Sequence, residues 1–158
     1  MAKSKKSDES GLKIIAKNRK AFHEFEILDS WEAGLVLLGS EVKALRAGRC
    51  NLGDSYAEIK QGEAWLMKVH IGPYEMANVM NHEPFRRRKL LLNRRELRKI
   101  RPRLEEKGLT LVPLKLYFKN GLAKVELGLG RGKKLYDKRH DKAKRDVEMK
   151  IRREMGRH

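Results

Sequence analysis

The sequence predicts a mainly β fold, a small barrel flanked by two or three short helices and followed by a basic C-terminal tail, on three observations. Several short stretches alternate apolar and polar residues, the period of a half-buried strand. Turn residues separate them at close intervals, as in small all-β proteins. From Gly128 to His158, GLGRGKKLYDKRHDKAKRDVEMKIRREMGRH, the chain holds almost nothing that could enter a core.

Taken in order, residues 1–11, MAKSKKSDESG, have nothing to bury and read as a disordered N-terminus. A barrel domain over 12–131 and a tail over 132–158 complete the expected organisation, a single core of about 100 to 120 residues needing no staples. KIIAKNRK leads into FHEFEIL, where Phe25 and Ile27 alternate with Glu24 and Glu26 as in a strand. Asp29-Ser30 reads as a turn, and Trp31 to Gly39 as a more buried strand with Gly34 at a bend or bulge. Ser40 then caps a short helix, with Glu41 in its first turn, Val42 and Leu45 facing inward and Gly48 as its stop. Ser55 to Lys60 and Ala64 to Ile71 form a hairpin through Gln61-Gly62, with Trp65, Met67, Val69 and Ile71 on one face. Residues 72–84 read mostly as loop.

Asn93 and Glu96 have the spacing of a capping box that starts a helix at Arg94; Pro102 should kink or restart it and Gly108 end it. LTLVPLKLYFKNGLAKVELGLG carries the clearest signal. A type I′ turn at Asn120-Gly121 would set Phe118 against Ala123, Leu116 against Val125, Leu114 against Leu127 and Val112 against Leu129, with Lys115 opposite Glu126 on the other face. Five or six short, glycine-twisted strands of this kind suggest an oligonucleotide-binding barrel, which holds nucleic acid by shape, charge and a few exposed side chains.

Charge points the same way. Residues 1–84 hold twelve Lys or Arg and twelve Asp or Glu, whereas residues 85–158 hold 26 and nine, so the whole net charge of +17 lies in the second half. Such a one-sided field favours nucleic acid over an anionic membrane, since the tail has no Trp or Phe to anchor it in lipid. Residues 86–103 carry ten Lys or Arg against one Glu, either a solvated helix face or one that tracks phosphates. Ala143, Val147, Ile151 and Met155 recur every four residues, giving the tail one thin apolar stripe. The expectation is a segment loose when free and helical on a polyanionic partner.

Chemistry is scarce. The single Cys50 excludes an internal disulfide, and His23, His70, His82, His140 and His158 show no metal-ligand spacing. GLGRGKK departs from a phosphate-binding loop in glycine spacing, with Lys134 where magnesium needs Ser or Thr. Glu24 with Glu26, or Asp54 with Glu58, has only the spacing of an exposed strand face. Neither catalytic residues, cofactor nor metal are expected, and the lack of a signal peptide or long apolar run points to the cytoplasm.

The chain resembles the SmpB family, the SsrA-binding proteins that partner transfer-messenger RNA in bacterial trans-translation. The resemblance runs from about Ile14 to Arg139 and is carried by IAKNRKAFHEFEI, EAGLVLLGSEVKALRAGRCNLGDSYAEI, NHEPFRRRKLLLNRREL, PLKLYFKNGLAKVELGLGRGKK and YDKR. It implies a barrel that grips the tRNA-like domain of that RNA, promotes its alanyl charging and helps deliver it, with elongation factor Tu and GTP, to a stalled ribosome. RNA-binding positions of the family match at Asn18, His23, Glu32, Leu91 and Lys124. Its tail motif, which acts in the small-subunit decoding centre and empty message channel, matches at Gly132, Lys133, Lys134, Asp137, Lys138 and Arg139, and Tyr136 offers a flat face for a base. Leu91 itself reads either as a core residue or as one that packs on an unstacked base. A monomer is expected. The alternative class is a structural ribosomal protein or assembly factor, equally basic and equally tailed.

Overall fold

A computed structural model describes residues 11–74, 81–133 and 135–155. Strands β1 (Leu12–Lys17), β2 (Phe25–Leu35), β3 (Cys50–Asn51), β4 (Tyr56–Lys60), β5 (Glu63–Met67), β6 (His70–Ile71), β7 (Arg88–Leu91), β8 (Leu109–Lys119) and β9 (Leu122–Gly132) alternate with helices α1 (Arg19–Glu24), α2 (Gly39–Arg46), α3 (Arg94–Leu104) and α4 (Leu135–Met155). Of the N-terminus expected to be disordered, only Gly11 is among the described residues.

Six strands close a ring. They run β8-β4-β5-β7-β2-β9 and return to β8, while β1 adds to β8 beyond the point where β4 leaves it. Every pairing is antiparallel, so no long crossover is needed. The interior is filled by Ala33 and Leu35 of β2, Ala57 of β4, Ala64 and Leu66 of β5, Leu90 of β7 and Val125 and Leu127 of β9. Leu45 from α2 and Ile100 from α3 enter the same core. Each of the buried leucines, valines and isoleucines among them contributes about 1.5–3 kcal/mol, the alanines less.

Both expected hairpin turns form. Asn120 (φ 51°) and Gly121 (φ 80°), and likewise Gln61 (φ 54°) and Gly62 (φ 76°), take the positive angles a two-residue turn demands. Phe118 faces Ala123, Leu116 faces Val125, and Lys115 sits 3.3 Å from Glu126. Below that the expected register fails. A bulge between Pro113 and Lys115 sets Pro113 against Leu127, Val112 against Gly128 and Leu111 against Leu129. The cause is Pro113, which has no N–H for the ladder, and the added residue reverses the facing of the strand. Leu111 and Leu116 therefore point inward, while Val112 and Leu114 turn out to form a second cluster with Ala21, Phe25 and Ile27 under α1.

Other departures have equally local causes. Asp29-Ser30 is no turn: β2 continues through it along β9, and a bulge between Ile27 and Asp29 absorbs the irregularity. Gly34 is not that bulge; a Cβ there would lie 3.2 Å from Leu91 Cβ, so its bareness admits β7 alongside. The cap of α2 is Leu38 rather than Ser40, because Glu41 reaches back to accept the Leu38 N–H at 2.8 Å, and Ser40 instead bonds His82 Nδ1. Trp65, Met67, Val69 and Ile71 do not share a face. Lys68 at φ 61° breaks the alternation, so that Ala64 and Leu66 are buried before it, Val69 and Ile71 after it. Helix α3 starts as expected, Asn93 Oδ1 accepting from Glu96 N at 2.9 Å, but runs through Pro102 and ends at Leu104. Both Pro102 and Arg98, whose carbonyl loses its partner, are exposed, so water replaces the lost bond.

Candidate RNA interface

The sheet register brings distant residues into one row. Leu91 on β7 pairs with Gly34 on β2, Gly34 with Lys124 on β9, Lys124 with Tyr117 on β8, and Tyr117 with Ile14 on β1. Directly paired residues share a face, and this one faces outward: Leu91 is 54% exposed and Ile14 also stands out. One step along β2, Glu32 opens a parallel row with Glu126, Lys115 and Lys17. Leu91 is therefore a surface residue and not part of the core. Three of the five expected positions, Glu32, Leu91 and Lys124, meet on this face.

Glu32 is held ready to accept. The Tyr117 hydroxyl donates to its Oε2, and Lys119 Nζ lies 3.6 Å away. The Tyr117 hydrogen bond, with Lys119 and Lys124 nearby, outweighs partial burial and holds the carboxyl below the usual carboxylate range. The phenol is pushed up in turn by burial and by that carboxylate. Glu32 thus stays ionised, on an exposed position with Lys119 and Lys124 nearby. A carboxylate in this state accepts from base edges or 2′-hydroxyls, while the lysines meet phosphates. Tyr117 escaped sequence reasoning; its alternation with Leu116 and Phe118 marked it as outward.

Asn18 and His23 lie elsewhere, at the two ends of α1. Asn18 is 5% exposed and fully engaged. Its Oδ1 caps α1 by accepting from Ala21 N at 3.1 Å, and its Nδ2 donates to Pro113 O at 2.8 Å and Leu52 O at 3.2 Å. Its backbone N–H takes Leu114 O. Asn18 thus ties the β8 bulge to α1, a positioning role. His23 is half-buried in the last turn of α1, with Arg145 of α4 2.9 Å from Nδ1.

The basic segment divides. Arg86 and Arg88 converge on buried Glu41, Arg87 lies over Trp65 at 4.5 Å, Lys89 pairs with Glu63 at 3.2 Å and Arg103 with Asp29 at 3.3 Å. Arg94, Arg95, Arg98, Lys99 and Arg101 stand exposed on α3.

Gly132 ends β9, and Lys133 is fastened to α1: its N–H donates to Glu24 O at 2.8 Å and its Nζ to Phe22 O at 3.1 Å. Lys134 lies outside the described residues, as do the side chains of Tyr136, Asp137, Lys138 and Arg139 in α4. From Lys142 to Arg153 every side chain of α4 is exposed, the stripe residues Val147 and Ile151 included. Among the described residues no group of His, Cys, Asp and Glu could hold a metal, and no helix is long and apolar enough to cross a membrane. Burial pushes the Cys50 thiol up to about 11, so it is no nucleophile at neutral pH.

A closed β-barrel with a carboxylate, lysines and an exposed leucine on one outer face, and a charged helix leaving its last strand, defines a nucleic-acid-binding barrel protein. The family of SmpB proteins matches residues 15–157. The SsrA-binding protein of Carboxydothermus hydrogenoformans is 58% identical over 139 residues, 88% of this chain and 93% of that protein. That of Thermobifida fusca is 54% identical over 99% of both. A solved chain of tmRNA-SmpB in the bacterial ribosome is 51% identical, covers 76% of this chain and 85% of its own length, and superposes with a TM-score of 0.65. The chain belongs to the SmpB family.

Proposed function

We propose that this chain binds the tRNA-like domain of transfer-messenger RNA through the face bearing Glu32, Leu91 and Lys124, and delivers that RNA to stalled ribosomes for trans-translation. The observation that carries this is the strand register, whose two neighbouring rows gather those residues from three separate strands onto one outward surface. Its chemistry suits folded RNA: an acceptor for 2′-hydroxyls, cations for phosphates, and an exposed apolar side chain for an unstacked base.

The barrel and the tail divide the labour. Residues 12–131 grip one RNA, and the tail motif at Gly132, Lys133, Lys134, Tyr136, Asp137, Lys138 and Arg139 probes the decoding centre and the empty message channel. Having no packing beneath Val147 and Ile151, α4 is loose in the free protein and gains lasting order only against ribosomal RNA. Asn18 and His23 serve by fixing α1, on which Lys133 is fastened. The protein acts in the cytoplasm as a monomer, with elongation factor Tu and GTP joining through the RNA, and makes or breaks no bond itself. In a gel-shift titration with the tRNA-like domain, Glu32→Ala should bind at least about tenfold more weakly, as loss of a charge-assisted hydrogen bond predicts. Unchanged binding contradicts the reading. Sequencing of the RNA that co-purifies should return one small species rather than all ribosomal RNA.

A further inference from the structure

Phe85 is 56% exposed on a turn that has every reason to be rigid. Arg86 N bonds Glu83 O at 3.2 Å, and Pro84 O accepts from both Ile71 N at 3.0 Å and Arg88 Nη2 at 3.1 Å. Arg88 itself is locked by Glu41 and by Val69 O at 2.7 Å. On this base the Phe85 ring leans against His70, centroids 4.9 Å apart and planes tilted by 59°. His70 is fixed in turn by the β3–β6 pairing opposite Asn51. The two rings border a concavity of ≈ 680 Å³ lined also by Asn51, Gly53, Asp54 and Lys68.

We infer that Phe85, buttressed by His70, is a stacking site for one unpaired base of the same RNA that the Glu32–Leu91–Lys124 face grips. This rests on the function proposed above. A flat ring held on a rigid turn with open space beside it loses little entropy on stacking, and any base offers a π-face. Cations for the flanking phosphates are present: Lys68, poised 5.9 Å from the Tyr56 ring, and Arg87 over Trp65. The one carboxylate in the lining, Asp54, is paired with Lys20 at 2.5 Å and repels a phosphate less. The site also continues the main face. Between Phe85 and Leu91 the chain alternates, Arg87 and Lys89 lying outward and Arg88 and Leu90 buried, so exposed Arg87, followed by Lys89 paired with Glu63, spans the roughly 20 Å between the two apolar contacts. That continuity, and the charge along it, favour RNA over a protein partner.

The test is filter binding of the full chain to the transcribed tRNA-like domain at fixed salt, with Phe85→Ala, Phe85→Leu and Phe85→Trp. Loss of one stacked base predicts about 5- to 150-fold weaker binding for Ala. Leu, apolar but without a ring face, should weaken in the same way, and Trp should restore affinity. The salt dependence should be unchanged, since no phosphate contact is removed. Wild-type affinity in Phe85→Ala overturns the inference. So does full affinity in Phe85→Leu, which would mean a mere apolar contact, and so does a defect confined to binding of small ribosomal subunits or of a protein. Failure of the wild-type chain to bind the domain would instead sink the function proposed above.

Discussion

Arg88 belongs to FRRRK, where the sequence counts it with the surface charge, yet its side chain and that of Glu41 are both fully buried. Spacing gives no sign of this, because Glu41 lies on helix α2, 47 residues before Arg88 on β7, and is recognisable only as a first-turn acid. Burial alone would raise the Glu41 carboxyl, but hydrogen bonds from Arg86, the Leu38 N–H and Arg88 outweigh it and hold the group below its ordinary value. Such a group stabilises the fold fully above its unfolded-state value and loses that contribution as pH falls through the folded one. Glu41→Gln leaves two guanidiniums with a neutral partner, one of them fully buried, and should cost about 3–5 kcal/mol at neutral pH. Thermal melts should show a Tm lowered by about 10 °C or more. The gap to wild type should narrow as pH falls through the depressed folded-state value, below the ordinary carboxylate range, where the native carboxylate is itself protonated. A gap that stays constant with pH would show that the charge on Glu41 is not what holds the 85–91 segment.

At the level of elements, the β8–β9 hairpin was legible at its tip and illegible lower down. Asn120-Gly121 dictates the turn by its positive φ angles, but the bulge at Leu114 depends on Asn18, which receives the Leu114 and Pro113 carbonyls from 95 residues away in the chain. Helix α1 was missed for a related reason: it is six residues long and is stabilised mostly by that cap and by Ala21 in the second cluster. On the proposed RNA face, Glu32, Leu91 and Lys124 could be named from the family resemblance, whereas their adjacency follows from register alone. The lower end of the barrel offers its own test. A Cβ on Gly130 would lie 2.7 Å from Phe25 Cβ, and neither strand can yield without breaking the β2–β9 ladder. Gly130→Ala should destabilise by about 1–3 kcal/mol, read as a lower urea midpoint with an unchanged slope. Wild-type stability would mean that β2 and β9 are less tightly joined there than their register implies.

Across the whole molecule, charge and fold are separately placed. The first 84 residues supply three of the six ring strands and carry no net charge, while the excess of positive charge lies in the residues after them, with exposed cations along α3 and α4. The end of the body is also clearer than sequence allows: GRGKK looks like one basic tail, but Arg131 and Gly132 complete β9 and Lys133 is bound to α1, so the separable part begins at Lys134. On the proposed division of labour, this part reports on the ribosome and takes no share in gripping the RNA. A chain ending at Lys133 tests this, with affinity for the tRNA-like domain and tagging on stalled ribosomes measured side by side. Affinity should stay within about threefold of the full chain at physiological salt, where distant tail charges are screened, while tagging is lost. Affinity lost in parallel with tagging, or tagging preserved without α4, would contradict it.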